Sequence, residues 1–291
     1  MSPAEQFRAQ LRSGKLIAAP GAIDGMTGRL IEQAGFSAAY MTGAGTSATL
    51  GYPDYGLLTM TEMVSNATRI VKATGIPLIS DADTGYGNEL NVFRTVQEFE
   101  HAGVAAIHIE DQVFPKRCGH LDNKELIALE DFLAKIRAAS DARRSPDFCI
   151  IARTDARAVS GLDDAVERAN AALANGADVA FIEAPQSVEE MRAIPRLVNG
   201  PCLLNMVRGG KSPEVSLQEA EAMGYAIAIL PGVLLAAIIA TCDRVLASIN
   251  EVGGLPPPLV ASSPTGIFSR LGAADWDQRR VAYRNWLEGG R

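Results

Sequence analysis

The chain has 291 residues, 47% of them hydrophobic, and a formal net charge of −7. A chain of this size and composition can bury one large core, and α/β barrels commonly reach this length as a single domain. The acidic balance, without any run of basic residues, excludes a face built for the phosphates of nucleic acid. We therefore expect no nucleic-acid partner.

The location of the protein is predicted from three features. Residues 1–15 have helical spacing but no apolar signal core, so secretion is not indicated. The apolar run 225–242 is long, but Pro231 and Gly232 divide it into a strand-length and a helix-length piece, which favours buried core over a membrane span. Four cysteines without paired spacing favour a reducing compartment. We predict a cytoplasmic protein with no membrane partner.

Short β-rich apolar runs recur along the chain, and each is followed by a helical pattern. They cover residues 16–19, 38–41, 77–80, 105–109, 148–152, 178–182, 201–204 and 225–230. Eight strands alternating with helices predict βα units with parallel pairing, which close into a (β/α)8 TIM barrel. We place the catalytic barrel domain at 1–245 and a C-terminal helical tail at 246–291.

Six of the eight strand exits carry a charged or hydrogen-bonding side chain. In chain order these exits are Thr42 with Gly43 and Ala44, Asp81 with Asp83, Glu110 with Asp111, Arg153 with Asp155, Glu183, and Asn205. At any single exit, a polar residue simply marks where a strand meets solvent. The whole series instead predicts an active site, because barrel enzymes place it at the carboxyl ends of their strands.

The third and fourth exits predict a metal site. Asp81 and Asp83 stand two residues apart, and Glu110 leaves the adjacent strand. Carboxylates without His or Cys favour Mg2+, with Mn2+ as an alternative, over zinc. Gly85 and Gly87 in the same loop would allow close approach by a small anionic ligand. Taken alone, the two aspartates are also typical of a helix N-cap, and it is their combination with Glu110 that favours a metal site.

Two further exits could bind the substrate. The small residues 42–47 form a loop whose backbone N–H groups could hold a carboxylate or carbonyl oxygen, although a tight βα turn explains the spacing equally well. Arg153 could pair with a substrate carboxylate, or form a structural ion pair with Glu183 or Asp155. Asn205 could donate a hydrogen bond to the substrate.

The four cysteines fall into two groups. Cys149, Cys202 and Cys242 lie in apolar surroundings and are expected to be buried packing residues. Cys118 lies in the sequence KRCGH, a cationic and flexible setting expected to lower the pKa of the thiol and leave it accessible. A thiol there could protonate a carbanion, and a thiolate could be a nucleophile.

The remaining features near Cys118 concern its surroundings. Residues 114–126 give the fourth connection an extra polar length, as expected of a lid over the substrate. His101 ends a helical pattern and His108 alternates within a strand, so neither is given a catalytic role.

Seven segments together resemble the isocitrate lyase / phosphoenolpyruvate mutase superfamily. They are YMTG (40–43), GYPDYG (51–56), DADTGYGN (81–88), HIEDQ (108–112), PKRCGH (115–120), IARTD (151–155) and NMVRGGK (205–211). The resemblance covers roughly residues 5–245, and KRCGH is specific for the carbon–carbon lyase branch. It implies a Mg2+-dependent barrel that assembles as a homotetramer, with the last barrel helix swapped between subunits.

The resemblance also implies roles for individual residues. Asp81 would hold the metal directly, with Asp54, Asp83 and Glu110 supporting it through water. The implied substrate-binding residues are Tyr40, Thr42, Gly43, Ala44, Asp54, Gly119 and Asn205, with Arg153 binding the carboxylate. Cys118 would protonate the departing carbanion. The implied catalytic residues around it are Lys116, His120, Arg153 and Glu183.

The implied activity is cleavage of a 2-hydroxy or 2-alkyl-substituted dicarboxylate, of the 2,3-dimethylmalate or 2-methylisocitrate type, to pyruvate and a carboxylate. Residues 233–239 are entirely apolar where 2-methylisocitrate lyases tend to carry an arginine, which favours a dicarboxylate over a tricarboxylate. Residues 19–22, 57–63 and 205–211 look more like 2,3-dimethylmalate lyase and carboxyphosphonoenolpyruvate mutase.

Other activities stay open within the same superfamily. A phosphonomutase on carboxyphosphonoenolpyruvate or phosphoenolpyruvate and an oxaloacetate hydrolase or decarboxylase are the alternatives. A barrel kept only for binding would be expected to lack a carboxylate of the metal site, Arg153 or Cys118, and the sequence retains them all.

Overall fold

Eight parallel strands form a closed barrel in the computed structural model, which describes residues 1–120, 123–258 and 263–289. The strands are β1 (Ile17–Ala22), β2 (Ala39–Met41), β3 (Leu78–Asp81), β4 (Ala106–Glu110), β5 (Cys149–Thr154), β6 (Val179–Ile182), β7 (Cys202–Asn205) and β8 (Ile227–Leu230). Each strand pairs with its neighbours in chain order, and β8 closes on β1. The predicted (β/α)8 fold is confirmed.

Helices follow the strands as predicted, with extra short ones. They are α1 (Pro3–Arg12), α2 (Gly25–Gln33), α3 (Gly43–Thr49), α4 (Met60–Ala73), α5 (Glu89–His101), α6 (Leu129–Ala142), α7 (Ala156–Val159), α8 (Leu162–Ala174), α9 (Val188–Leu197), α10 (Leu217–Met223), α11 (Val233–Val252), α12 (Pro264–Arg270) and α13 (Ala273–Gly289). Capping boxes fix several of the starts. In α4, for example, Thr59 accepts from the backbone N–H of Glu62 while the Glu62 carboxylate bonds back.

The observed strand bounds lie within three residues of the predicted ones, and the largest shift is at the end of β1. The prediction ends the first strand at Ala19 and takes Pro20 and Gly21 as its exit. In the structure β1 continues to Ala22, and Pro20 aligns with Leu230 of β8. Gly21 is needed here, because a Cβ atom would lie 2.2 Å from the carbonyl oxygen of Pro231.

Alternation along the strands decides which side chains enter the barrel. In β4, Ala106 packs in the interior cluster while Ile107 and Ile109 pack in the cluster that contains α4 and α5 residues. His108 and Glu110 therefore share the inward face of β4 with Ala106. The same alternation places Asp81 and Arg153 on the inward faces of β3 and β5, because Ile79 and Ile151 belong to the interior cluster.

The chain divides into two compact units, Met1–Ala237 and Ile238–Arg291. The first contains the whole barrel. The second contains most of α11 together with α12 and α13. The predicted domain boundary after residue 245 falls within α11, as does the boundary between these units. Residues 259–262 and 290–291 of the predicted tail, and residues 121–122 of the predicted lid, lie outside the described residues.

The apolar run 225–242 is only partly core. Strand β8 is almost wholly buried, but α11 has no buried residue, and Cys242 on it is exposed. The predictions that the whole run is core and that Cys242 is buried are therefore wrong for this single chain. By length and composition alone α11 could cross a membrane. However, Asp243 and Arg244 lie at its centre, where charges are costly in a bilayer.

An ion-pair cluster fastens α1 to the amino-terminal end of the barrel. The Asp178 carboxylate, just before β6, accepts from Arg8 at 2.8 Å, from Arg143 at 2.7 Å and from the backbone N–H of Ile150 at 2.9 Å. All three side chains are mostly shielded from solvent. Phe7, which precedes Arg8 on α1, is fully buried and packs in the interior core cluster.

Asp178→Ala is expected to lower the free energy of unfolding by about 3 kcal/mol, because it removes the carboxylate of two shielded ion pairs and the acceptor of the Ile150 N–H. Asp178→Asn keeps an acceptor for Ile150 and should lose less. Urea denaturation at a fixed protein concentration measures both variants. A loss below about 1 kcal/mol for the alanine variant, the level of an exposed ion pair, would contradict this role.

Candidate active site

Asp81 ends β3 on the inward face and lies at the centre of a hydrogen-bonded group. Its Oδ2 accepts the backbone N–H of Gly43 at 3.1 Å, and its Oδ1 accepts that of Asp83 at 2.9 Å. Burial raises the pKa of Asp81, but the His108 ring and the cations Lys116 and Arg153 outweigh it and hold the pKa at about 2. Asp81 is therefore an ionised carboxylate with fixed orientation.

Asp83 is held in an unusual backbone conformation, with φ at 46°. A non-glycine residue in this region costs energy and is common at functional sites. Its carboxylate lies 3.0 Å from the Lys116 ammonium, which also contacts Asp54 at 2.5 Å. Burial, together with the carboxylates of Asp81 and Asp54, raises the pKa of Asp83 to about 6 against the opposing effect of Lys116.

Glu110 ends β4 and is completely buried. One of its oxygens lies 3.1 Å from Arg153, but Oε1 has no hydrogen-bond donor among the described residues. Burial raises the pKa of Glu110 well above its usual value, although Arg153 and Lys116 oppose this. A buried carboxylate oxygen without a donor is costly, so the site is incomplete without a further positive or hydrogen-bonding group.

These residues fit a hard divalent cation. Within the part of the chain that the structure describes, the carboxylates that meet here are Asp54, Asp81, Asp83, Glu110, Asp155 and Glu183, and the cations among them are Lys116, Lys124 and Arg153. The negative excess and the all-oxygen donor set suit Mg2+ or Mn2+. No three described carboxylate, imidazole or thiol groups form a ready-made metal cage.

Arg153 on β5 is shared by three carboxylates. Its guanidinium bonds Asp155 at 2.9 and 3.2 Å, lies 3.1 Å from Glu110 and 3.5 Å from Glu183, and stacks over the Phe181 ring at 5.2 Å. From the sequence, Arg153 could bind a substrate carboxylate or form a structural ion pair. The structure shows the ion pairs with Asp155 and Glu183. The group remains positioned at the centre of the barrel mouth.

Residues 116–120, which carry the KRCGH sequence, cross the mouth of the barrel and are fixed at both ends. Lys116 binds Asp54 and Asp83 at one side. At the other side Gly119 lies directly against Arg153, because a Cβ atom there would be 2.4 Å from a guanidinium nitrogen. Cys118 lies between these two anchors in the chain.

His120 completes the far side of this segment. Its Nδ1 accepts the backbone N–H of Lys211 at 3.1 Å, and its Nε2 lies 3.3 Å from a Glu183 oxygen. Because Nδ1 accepts a hydrogen bond, a neutral ring carries its proton on Nε2, facing Glu183. Burial lowers the pKa of His120, although Glu183 opposes it. Asn205 in turn donates to both Glu183 oxygens, at 3.1 and 3.3 Å.

The environment of Cys118 differs from the prediction. The sequence predicts a lowered pKa because cations flank the thiol. In the structure burial raises its pKa, and Asp54 adds to this effect, while the backbone N–H of His120 and the cations Arg153 and Lys116 oppose it. Lys116 and Arg153 are already paired with carboxylates, so their influence on the thiol is weakened. The group is a thiol at neutral pH, which suits a proton donor better than a nucleophile.

Two predictions about loops are also corrected. Residues 42–47 belong mainly to the short helix α3, with Thr42 as its N-cap, and the Gly43 N–H points to Asp81. Gly85 and Gly87 do not make room for a ligand. Cβ atoms there would collide with Val92 and Asn91 of α5, at 2.3 and 2.2 Å, so these glycines allow the loop to pack on the helix.

The structure brings together most of the residues predicted from sequence. Directly linked by the contacts above are Gly43, Asp54, Asp81, Asp83, Glu110, Lys116, Gly119, His120, Arg153, Glu183 and Asn205. Thr42 and Ala44 flank Gly43. Tyr40 is linked to the site through His108, because its hydroxyl lies 2.8 Å from His108 Nε2, which is 3.6 Å from an Asp81 oxygen.

Two further buried groups lie near the site, and neither is among the residues predicted to form it. His108 lies between Tyr40 and Asp81, 3.6 Å from an Asp81 oxygen, and burial lowers its pKa to about 4 despite Asp81, so it is neutral. Its position on the same face of β4 as Glu110 could have indicated this. Lys124 is also buried, with its ammonium bonded to Asp155 at 2.7 Å. No local sequence signal predicts that contact.

The fold and the site together define a (β/α)8-barrel enzyme with its active site at the carboxyl ends of the strands. The family model described as phosphoenolpyruvate phosphomutase matches residues 7–250. The chain belongs to the phosphoenolpyruvate mutase/isocitrate lyase superfamily.

Among curated relatives, the chain is 53% identical to a 2,3-dimethylmalate lyase from Eubacterium barkeri over 232 residues, covering 79% of this chain and 80% of the relative. It is 41% identical to a 2-methylisocitrate lyase from Aeropyrum pernix over 278 residues, covering 95% and 90%. The resemblance inferred from the sequence motifs is confirmed.

Solved structures give the same grouping. An oxaloacetate acetylhydrolase with the inhibitor 3,3-difluorooxalacetate matches with a TM-score of 0.94 and 38% identity, covering 97% of each chain. A 2,3-dimethylmalate lyase matches with a TM-score of 0.93 and 38% identity, covering 97% and 96%. A phosphonopyruvate hydrolase complexed with oxalate and Mg2+ matches with a TM-score of 0.87 and 33% identity, covering 98% and 99%.

Proposed function

We propose that the protein is a Mg2+-dependent carbon–carbon lyase that cleaves a 2-hydroxy dicarboxylate of the 2,3-dimethylmalate type to pyruvate and a second carboxylate. The observation that carries the proposal is the placement of residues 116–120. Lys116 is anchored on the carboxylates and Gly119 on Arg153, with the protonated Cys118 between them. Identity to the lyase relatives supports the same activity.

The reaction needs a proton donor and a place for negative charge. The C2 hydroxyl first gives its proton to a base or to water. Cleavage of the C2–C3 bond then leaves the bonding electrons on C3, as the enolate-like carbanion of the departing carboxylate, while C2 becomes the carbonyl of pyruvate. The Cys118 thiol donates its proton to C3. Burial raises the pKa of this thiol, so the group still carries the proton when the carbanion forms. The neutral His120 and Asn205 hold Glu183 beside the segment that carries the thiol.

Asp81 would hold the metal, with Asp54, Asp83 and Glu110 supporting it through water. When bound, Mg2+ would supply positive charge for the carboxylate and the oxygen on C2 of the substrate. The part of the substrate that becomes pyruvate would contact Thr42, Gly43 and Ala44, which lie beside Asp81. Tyr40 would complete this part of the substrate site. Arg153 would bind the carboxylate of the same end, exchanging part of its contact with Glu110 or Glu183.

We also propose that the protein is a cytoplasmic homotetramer in which α11 packs against another copy. No residue of α11 is buried within this chain, and large apolar side chains on it, such as Ile239 and Leu246, are more than half exposed. An apolar helix of this kind is normally covered by a partner. Analytical ultracentrifugation of wild type and Leu246→Glu tests this, and a monodisperse wild-type monomer would contradict it.

Dicarboxylates are expected to be better substrates than tricarboxylates. Residues 233–239 provide no cation, and an extra carboxylate placed there would lose hydration without a partner, a penalty on the order of several kcal/mol. Steady-state kinetics on 2-alkylmalates and 2-methylisocitrate measures the preference. If kcat/KM for 2-methylisocitrate exceeded that for every dicarboxylate, the proposed substrate class would be wrong.

Two activities found in the superfamily are the alternatives: a phosphonomutase, and a hydrolase or decarboxylase acting on oxaloacetate. A substrate panel of 2,3-dimethylmalate, oxaloacetate and phosphonopyruvate separates them, since no two of these activities give the same set of products. The lyase predicts the largest kcat/KM for 2,3-dimethylmalate. A larger kcat/KM for oxaloacetate or phosphonopyruvate would instead assign the protein the activity on that substrate.

A further inference from the structure

Lys124 is a buried cation that the proposed reaction does not use. It is 7% exposed as a residue and its side chain only 1%. Its ammonium donates to two acceptors, the backbone carbonyl of Gly119 and the Asp155 carboxylate at 2.7 Å. Ordering and burying a lysine in this way is unfavourable unless both contacts are made, so the arrangement is specific.

The two acceptors belong to different parts of the site. Gly119 follows Cys118 directly and packs against Arg153 and Glu183 so closely that no side chain fits. Asp155 is the carboxylate that holds the Arg153 guanidinium with two hydrogen bonds. Burial would raise the pKa of Asp155, but Arg153 and Lys124 lower it to about 2, so it stays ionised between them.

We propose that Lys124 is a positioning residue that ties the backbone next to Cys118 to the Arg153–Asp155 pair. One ammonium group thereby fixes the distance between the proton donor and the guanidinium that would bind the substrate carboxylate. Lys124 does not touch the reacting atoms in this account. It acts through Gly119 on Cys118 and through Asp155 on Arg153. Only the expected kinetic effect of Lys124 rests on the proposed lyase function.

The alternative role for Lys124 is simple charge balance for Asp155. The two roles differ at Gly119: charge balance needs only the ion pair, whereas positioning needs the bond to the carbonyl as well. Lys135 offers a matched control, because it is equally buried at 7% exposure and its ammonium donates to a backbone carbonyl, that of Thr84 at 3.1 Å. It makes no contact with residues 116–120 in the described hydrogen bonds and ion pairs.

The test measures the accessibility of Cys118 without turnover. Alkylation by iodoacetamide at pH 8 is followed at the Cys118 peptide by mass spectrometry, in wild type, Lys124→Met and Lys135→Met, with Tm measured for each. Lys124→Met is expected to raise the alkylation rate about tenfold or more, because the segment opens locally. Lys135→Met should leave that rate unchanged. Lys124→Gln keeps a donor without the charge and should fall between, and it provides the comparison if Lys124→Met does not fold.

The kinetic arm uses the same variants with 2,3-dimethylmalate and Mg2+. A misplaced proton donor is expected to lower kcat about 100-fold, with a smaller change in KM. A wild-type alkylation rate in both Lys124 variants would overturn the positioning role, even if Tm fell as charge balance predicts. Because alkylation needs no catalysis, it decides the role of Lys124 even if wild type fails to cleave 2,3-dimethylmalate.

Discussion

Cys118→Ser is expected to slow cleavage of the best substrate by about 100-fold or more, because a positioned general acid typically contributes 100- to 10,000-fold. A serine hydroxyl has nearly the size of the thiol but is a far weaker acid. The variant should fold normally, because the Cys118 side chain is only partly buried and the neighbouring anchors are Lys116 and Gly119.

The measurement separates binding from chemistry. Calorimetry with Mg2+ and oxalate, a non-reacting dianion, should give similar affinities for wild type and Cys118→Ser, while single-turnover cleavage differs. Cys242→Ser is the control, since this cysteine is exposed on α11 and remote in sequence from the site. Cleavage by Cys118→Ser within about threefold of wild type would remove the thiol from the mechanism. It would favour a mutase, because a phosphoryl shift inside a closed site needs no such donor.

Metal removal should have an equally large effect. EDTA is expected to abolish activity, and Mg2+ or Mn2+ to restore it. Asp81→Asn should reduce kcat/KM by about 100- to 1,000-fold, because it removes the negative charge of the carboxylate that the backbone N–H groups of Gly43 and Asp83 orient in the site. Its side chain has the same shape, so a loss of folding is not expected.

A binding readout accompanies the activity assay for the metal. Titration of wild type with Mg2+ in the presence of oxalate should raise Tm, and Asp81→Asn should show little rise at the same concentrations. Asp178→Asn is the matched control, because it alters a mostly buried aspartate at the opposite end of the barrel. Full turnover by Asp81→Ala in the presence of EDTA would contradict the metal site.

Much of the fold and site could be predicted because both depend on short-range patterns. Each strand is a β-rich apolar run of strand length, and parallel strands bring their carboxyl ends to one rim. Asp81 and Arg153 could therefore be placed together although 71 residues separate them in the numbering. The inward direction of each follows from alternation with Ile79 and Ile151.

The remaining features depend on contacts that no local pattern contains. Lys124 meets Asp155 across 31 positions, through a connection whose path the sequence does not specify. The pKa of Cys118 depends on whether burial or neighbouring cations dominate, and those cations are paired with distant carboxylates. The exposure of α11 does not follow from its composition either, because an apolar helix has the same sequence pattern whether its own chain or a partner covers it.

The most direct test of the proposed function is the product formed from 2,3-dimethylmalate. Purified protein with Mg2+ is incubated with this substrate, and pyruvate is followed through NADH oxidation by lactate dehydrogenase, with propionate measured by NMR. We expect pyruvate and propionate in equal amounts, neither product in EDTA, and at least about 100-fold slower release by Cys118→Ser. Conversion of phosphonopyruvate or oxaloacetate with no pyruvate from 2,3-dimethylmalate would contradict it.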